Sequence, residues 1–236
     1  MAEPSIKLYD LAGADPDLRF SPPCWRIKMT LAHKGIPFET VPWRFTDKDV
    51  IAFSGQGRVP VLVCGGREVH ESWDIARYLD ETYPDKPVMG DAAARAAARF
   101  VKAWVETVVQ PVIRPLVLED IYDCIHEKDK DYFLESRTKA MGGPIEQWCP
   151  DRLAARAAVD AALKPLAETL SDVTYLGGNE PNFSDYIVFS VLQWARVVMR
   201  EPVVPTEGDG PIAAWFGHLL EAHGGFAAQS PTVRGK

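Results

Sequence analysis

Little in this chain invites a metal, a nucleotide phosphate or a membrane. Its 236 residues include four cysteines, Cys24, Cys64, Cys124 and Cys149, with no CxxC pair and no His/Cys spacing of the zinc-finger kind. A structural zinc needs thiolate or imidazole ligands in close array, so none is expected. Sparse, unpaired cysteines point instead to reduced thiols in a cytoplasmic protein. No GxGxxG and no GxxxxGK[ST] follows a strand pattern, which removes the glycine-rich cradles that hold dinucleotides and nucleotide phosphates. No run approaches the roughly eighteen apolar residues that a membrane-spanning helix requires. "MAEPSIKLYDLAG" lacks the basic flank and apolar core of a signal peptide. A strong field of one sign is missing too. The formal charge is −7, with ten basic and thirteen acidic residues through position 85 and sixteen and twenty beyond it. Nucleic acid is therefore not expected as the main partner.

What is present is apolar patterning in two styles. Hydrophobic residues make up 47% of the chain, enough for a substantial core. "SIKLYD" alternates as a short strand, and a helix is expected near Pro23, because proline is tolerated in a first turn whose amides lack intrahelical acceptors. Cys24, Ile27 and Leu31 recur at helical spacing, and Gly35 is placed to stop the element. "PFETV" reads as a second strand and 42–57 as loop with a short helix. In "RVPVLVCGGREVHES", Val59, Val61 and Val63 alternate, two glycines turn the chain, and Val69 starts the answering strand. "SWDIARYLDETYP" then reads as a helix capped by Ser72. The order β-α-β-loop-β-β-α calls for a mixed sheet.

Pro84, Pro87 and Gly90 punctuate a linker, after which only helical patterns follow: 91–124, interrupted around Pro111 and Pro115, then 129–141, 151–170, 183–200 and 211–222. The expected fold is α+β: a small unit with a mixed four-stranded sheet over 1–85, a linker over 86–90, and an all-helical unit over 91–236.

Several residues have chemistry to offer. In "FSPPCWRIK" Ser21 can cap the helix or donate a hydrogen bond to a bound thiolate, which would favour the anion. Cys24 can be a nucleophile near a helix N-terminus or plain core filler. Arg26 can lend positive potential or form a surface ion pair. Pro60 at a strand start marks an edge strand or a cis Val59–Pro60 bond that turns Val59 backbone groups toward a ligand. Ser72 and the first-turn amides beside it suit a carboxylate, and Glu71 an ammonium. Asn182 and Asp185 in "NFSD" are spaced as a capping box and belong to folding.

Joined together, "SPPCWRIKMTLAHKGIPFETV", "RVPVLV", "ESWDIARYLDETYP" and "YLGGNEPNFSDYIVFSVLQWA" resemble the glutathione transferase family across most of the chain. The combination "LYD…SPPCWRIKMTLAHKGIPFETVPWRF" most resembles serine-type bacterial members, which include β-aryl etherases of lignin breakdown. The resemblance implies a thioredoxin-like N-terminal domain that binds glutathione and an all-helical domain that receives a hydrophobic electrophile. It implies that Ser21, not Cys24, activates the thiol. By the same likeness cis Pro60 lets Val59 hold the cysteinyl backbone, and Glu71 and Ser72 hold the γ-glutamyl group. Arg44, Gln56 and Arg58 are candidates for the glycine end. A homodimer is also implied. For the electrophile wall, the candidates are Trp104, Val108, Pro111, Val112, Tyr122 and Trp194, with Arg114 or Arg196 as a partner for a substrate carboxylate. Three alternatives to simple conjugation stand: β-ether cleavage, a noncatalytic glutathione-binding or partner-recognition protein, and thiol-dependent chemistry at Cys24.

Overall fold

The computed structural model describes residues 5–149, 151–201 and 205–235. The chain opens with β1 (Ile6–Leu11), α1 (Pro22–Lys34) and β2 (Glu39–Trp43). A short 3-10 segment, Lys48–Ser54, leads to the hairpin β3 (Val61–Cys64) and β4 (Arg67–His70), and then α2 (Ser72–Thr82). The sheet order is β2-β1-β3-β4. β1 runs parallel to β2 and antiparallel to β3, so the sheet is mixed, as the connection lengths predict. The helical part comprises α3 (Ala92–Trp104), α4 (Gln110–Cys124), α5 (Lys130–Met141), α6 (Arg152–Leu170), α7 (Phe183–Val198) and α8 (Pro211–Gly225), the last broken at 222–224. This is the thioredoxin-like unit followed by an all-helical domain. Among the described residues, no helix is long and apolar enough to cross a membrane.

Local sequence explains where α1 begins and ends. Pro22 and Pro23 carry no amide hydrogen, so the first turn loses nothing by having them there. Ser21 closes the N-terminus, and Gly35 takes the left-handed conformation (φ 68°) that only glycine adopts without strain. Between them nine residues of α1 are buried, including the charged Arg26 and Lys28. Lys28 resolves its burial by pairing with Asp10 at 2.8 Å.

The two parts are pinned by their connector and by α7. Asp80 in α2 accepts the Val88 and Met89 amides at 3.1 and 2.8 Å, and the Lys34 ammonium meets the same carboxylate at 2.8 Å. Lys34 also donates to the carbonyls of Tyr83, Asp85 and Lys86. Helix α7 lies against α1, with the Trp25 and Phe189 rings edge to face at 6.4 Å. Its start has the expected capping box of Asn182 and Asp185. Asp185 does more than reciprocate Asn182: it also accepts the Leu176 and Gly177 amides at 2.8 and 3.0 Å and the Trp215 indole at 2.8 Å.

The predicted interruption of 91–124 takes a specific form. Val105–Val109 is a π turn, in which the Gln110 amide reaches back to the Val105 carbonyl. Pro111 follows directly and has no amide to offer Thr107, so the ordinary repeat cannot close there. α4 then continues through Pro115.

Candidate active site

Strand register gathers the polar candidates at one end of the sheet. Val61 is paired with Tyr9 on one side and His70 on the other. Residues just before Val61 and just after His70 therefore emerge together, beside the end of β1 at Leu11. Val59 and Pro60 arrive there through a cis peptide bond. Glu71 arrives with φ 62° and ψ 122°, a combination costly for any residue with a Cβ.

That backbone corrects one expectation. Glu71, not Ser72, is the N-cap residue of α2: its carbonyl accepts the Ile75 amide at 2.9 Å, and Ser72 is already helical. No side chain caps this helix, so its first amides keep their hydrogens for an incoming acceptor. The Ser72 hydroxyl instead accepts from the Arg26 guanidinium at 3.5 Å. Arg26 is a buried strut, not a surface ion pair. It also donates to Ser190 in α7 at 3.3 Å and to Glu106 in the π turn at 3.1 Å.

At the start of the same helix, Ser21 and Cys24 separate into distinct environments. Ser21 Oγ accepts the Cys24 amide at 3.4 Å, which occupies a lone pair and leaves the hydroxyl proton for another acceptor. Cys24 has no exposed surface, and its sulfur points at the Tyr9 carbonyl 3.8 Å away. Burial, and then the Asp10 carboxylate, push its thiol well above the ordinary range, so a thiolate there is strongly disfavoured.

Ser21 lines a cavity of about 350 Å³ between the two parts of the chain. Leu11, Phe20 and Pro22 share its wall from the N-terminal side, and Phe45 closes one flank. From the helical side come Gln110, Arg114, Leu118 and Ile121 of α4, Phe133 and Arg137 of α5, and Trp194 of α7. Of the aromatic and apolar residues proposed from sequence, Trp194 alone is on this wall. Trp104, Val108, Pro111, Val112 and Tyr122 are not, and Arg196 is occupied by the Ala228 carbonyl at 3.3 Å. One added residue in the π turn rotates the following helix face by about 100°, and the face after it repeats as 110, 114, 118 and 121. Sequence reasoning missed Phe45 and Phe133 as wall residues because no local signal marks either as facing the cavity. Among the candidates for the glycine end, Arg44 is tied to the Gly13 and Ala14 carbonyls at 3.2 and 3.1 Å. Gln56 is half-buried and Arg58 exposed. A larger cavity, about 690 Å³, lies beyond α1 against the C-terminal segment and touches none of the predicted site residues.

Residues 20–82 match the family of glutathione S-transferase N-terminal domains and residues 96–220 that of the C-terminal domains. A glutathione S-transferase-like protein of Aspergillus flavus, ustS, is 26% identical over 199 residues, covering 72% of each chain. A glutathione S-transferase of Ceriporiopsis subvermispora, solved in complex with glutathione, superimposes with a TM-score of 0.78 at 25% identity, over 92% of this chain and 97% of its own. The β-etherase LigF of Sphingobium superimposes with a TM-score of 0.64 at 20% identity, over 92% of this chain and 95% of its own, a likeness of fold. With both halves matched in order and half the chain covered by one domain alone, this protein belongs to the glutathione S-transferase family.

Proposed function

We propose that the protein is a glutathione-dependent transferase that activates the thiol of glutathione for attack on a hydrophobic electrophile. The observation that carries this reading is the position of Ser21. Its hydroxyl keeps a proton to give while lining the apolar cavity, and the strut Arg26 ties its helix to Ser72. In this reading the N-terminal domain, 1–85, binds glutathione and the helical domain, 91–236, supplies the electrophile wall across the linker 86–90. The Val59 backbone pairs with the cysteinyl unit beside Pro60. Glu71 receives the γ-glutamyl ammonium, and Ser72 with the uncapped amides of α2 receives its carboxylate. Ser21 donates to the sulfur, so the thiol proton is lost to solvent and the thiolate is retained. A carbon–sulfur bond then forms as the electrophile's leaving group departs. Fixed orientation in the cleft supplies much of the rate.

Membership of the family and the glutathione-bound relative support glutathione as the co-substrate. The serine-type subclass rests on Ser21 and on the environment of Cys24. β-Aryl ether cleavage is the second reading, in which an aryloxide is the leaving group; the wall of Phe20, Phe45, Phe133 and Trp194 favours it. We place the protein in the cytoplasm as a homodimer, the sheet domain of one subunit against the helical domain of the other. Phe53 on the first and Phe100 on the second are 46% and 75% exposed, apolar surface that such a contact would cover. Light scattering that gives a concentration-independent mass near 26 kDa would reject the dimer. The transferase reading is tested with glutathione and a panel of halogenated aromatics, isothiocyanates, peroxides and β-aryl ethers. Glutathione-dependent products are expected, and none across the panel, with glutathione still bound, would leave a noncatalytic binding protein.

A further inference from the structure

The cavity beside Ser21 has a feature that a merely hydrophobic pocket does not need. Two guanidiniums, Arg114 from α4 and Arg137 from α5, stand in its wall, and among the described residues no carboxylate does. Neither arginine forms an ion pair among the described residues. Arg137 gives one hydrogen bond to Ser136 at 3.2 Å and lies over the Phe133 and Phe45 rings, 5.0 and 5.6 Å from their centres. Burial lowers its hold on its proton; Tyr132 opposes this and the neighbouring Arg114 adds to it. An arginine stays charged under such conditions. Asp129, which approaches Phe45, is already engaged with the Phe45 and Thr46 amides and the Thr46 hydroxyl. Two like charges held together in an aromatic cavity without a counterion are an arrangement that an anion would relieve.

We propose that this cavity selects aromatic electrophiles that carry a carboxylate, with Arg114 and Arg137 holding that group while the reacting carbon faces Ser21. The inference rests on the transferase reading only in calling the bound anion a substrate. A planar carboxylate fits the fork of a guanidinium through paired N–H···O bonds, and the aromatic body fits Phe20, Phe45, Phe133 and Trp194. In the reaction the glutathione sulfur attacks the ring carbon that bears a halide. The carbon–sulfur bond forms, the carbon–halogen bond breaks, and halide leaves with its electron pair while the carboxylate stays unchanged on the arginines.

The test uses two matched pairs of probes that differ only in charge. meta-Nitrobenzoate and its methyl ester, which cannot react, are titrated calorimetrically into the intact protein. para-Chloro-meta-nitrobenzoate and its methyl ester are then turned over with glutathione. The wild type should bind the nitrobenzoate about tenfold or more tighter than its ester, the scale of one or two charged hydrogen bonds. Arg114→Gln and Arg137→Gln should each erase most of that difference, with Arg137→Lys restoring part of it. The carboxylate-to-ester ratio of kcat/KM should fall in parallel, and comparing that ratio between wild type and variant cancels the intrinsic reactivity of the two probes. Arg196→Gln, outside the cavity, should leave both ratios as they were. Equal binding of acid and ester by the wild type would overturn the proposal. So would arginine variants that weaken glutathione itself about tenfold while the acid-to-ester ratio stays put, since the pair would then serve the tripeptide. If the anion preference holds but no conjugate forms from this probe or from any member of the wider panel, the site stands and the transferase reading falls. Thermal unfolding of each variant separates a lost contact from a lost fold.

Discussion

The two walls of the cleft hold their shape by different means. On the sheet side it is set by backbone: a cis bond before Pro60, a left-handed Glu71 and a helix start without a side-chain cap. On the helical side it is set by side chains drawn from three helices, aromatic in bulk and cationic at Arg114 and Arg137. A backbone wall recognises a peptide by pairing main chain with main chain, and a substitution there matters where it alters φ or ψ or removes one of the few side chains that reach the ligand. A side-chain wall can change what it prefers one residue at a time while the fold stays put.

Helix α7 backs both walls, and breaking its start should damage both at once. Asp185 holds four donors from three directions, and helix α7 carries Ser190 to Arg26 and Trp194 to the cavity. Asp185→Ala is expected to cost about 3 kcal/mol in urea unfolding, because it strands the buried Trp215 indole and three part-buried amides together. Loss of less than about 1 kcal/mol would mean that the turn at 175–178 is supported elsewhere.

A narrower change should separate the walls. Glu71→Gly relieves the positive φ but removes the carboxylate that we propose receives the γ-glutamyl ammonium. It should raise stability by about 1 kcal/mol, or roughly 2–4 °C in Tm, while weakening glutathione about tenfold. Binding of meta-nitrobenzoate in the opposite wall should not change. If glutathione affinity stayed put, Glu71 would be an ordinary surface residue with an unusual backbone.

How far the sequence discloses these walls depends on the same division. The sheet side is carried by neighbours in the chain: Ser21 before two prolines, Val59 before Pro60, Glu71 before Ser72. Such pairs are legible because adjacent residues fix each other's conformation. Even there, the cap of α2 falls one residue earlier than serine's preference suggests, because Glu71 bends left-handed. The capping box of Asn182 and Asp185 is equally local, whereas Trp215 on the same carboxylate lies thirty residues on and leaves no trace in the motif. The helical side is harder to read. Apolar character alone suggests Trp104 and Val108, whereas the face that follows the π turn brings Gln110 and Arg114 to the cavity. Phe45 and Phe133 meet only through the tertiary fold, at 5.8 Å.

The central claim is that Ser21, and not Cys24, holds the glutathione thiolate. Its most direct test is a pH titration of the bound thiolate's ultraviolet band in the wild type, Ser21→Ala and Cys24→Ala. Losing one charged hydrogen bond to the anion should raise the thiol's pKa by about one to two units in Ser21→Ala, with glutathione affinity at low pH largely kept. Cys24→Ala should titrate like the wild type, since a fully buried sulfur pushed far from ionisation has no part in the step. An unchanged pKa in Ser21→Ala together with a lost band in Cys24→Ala would contradict the account.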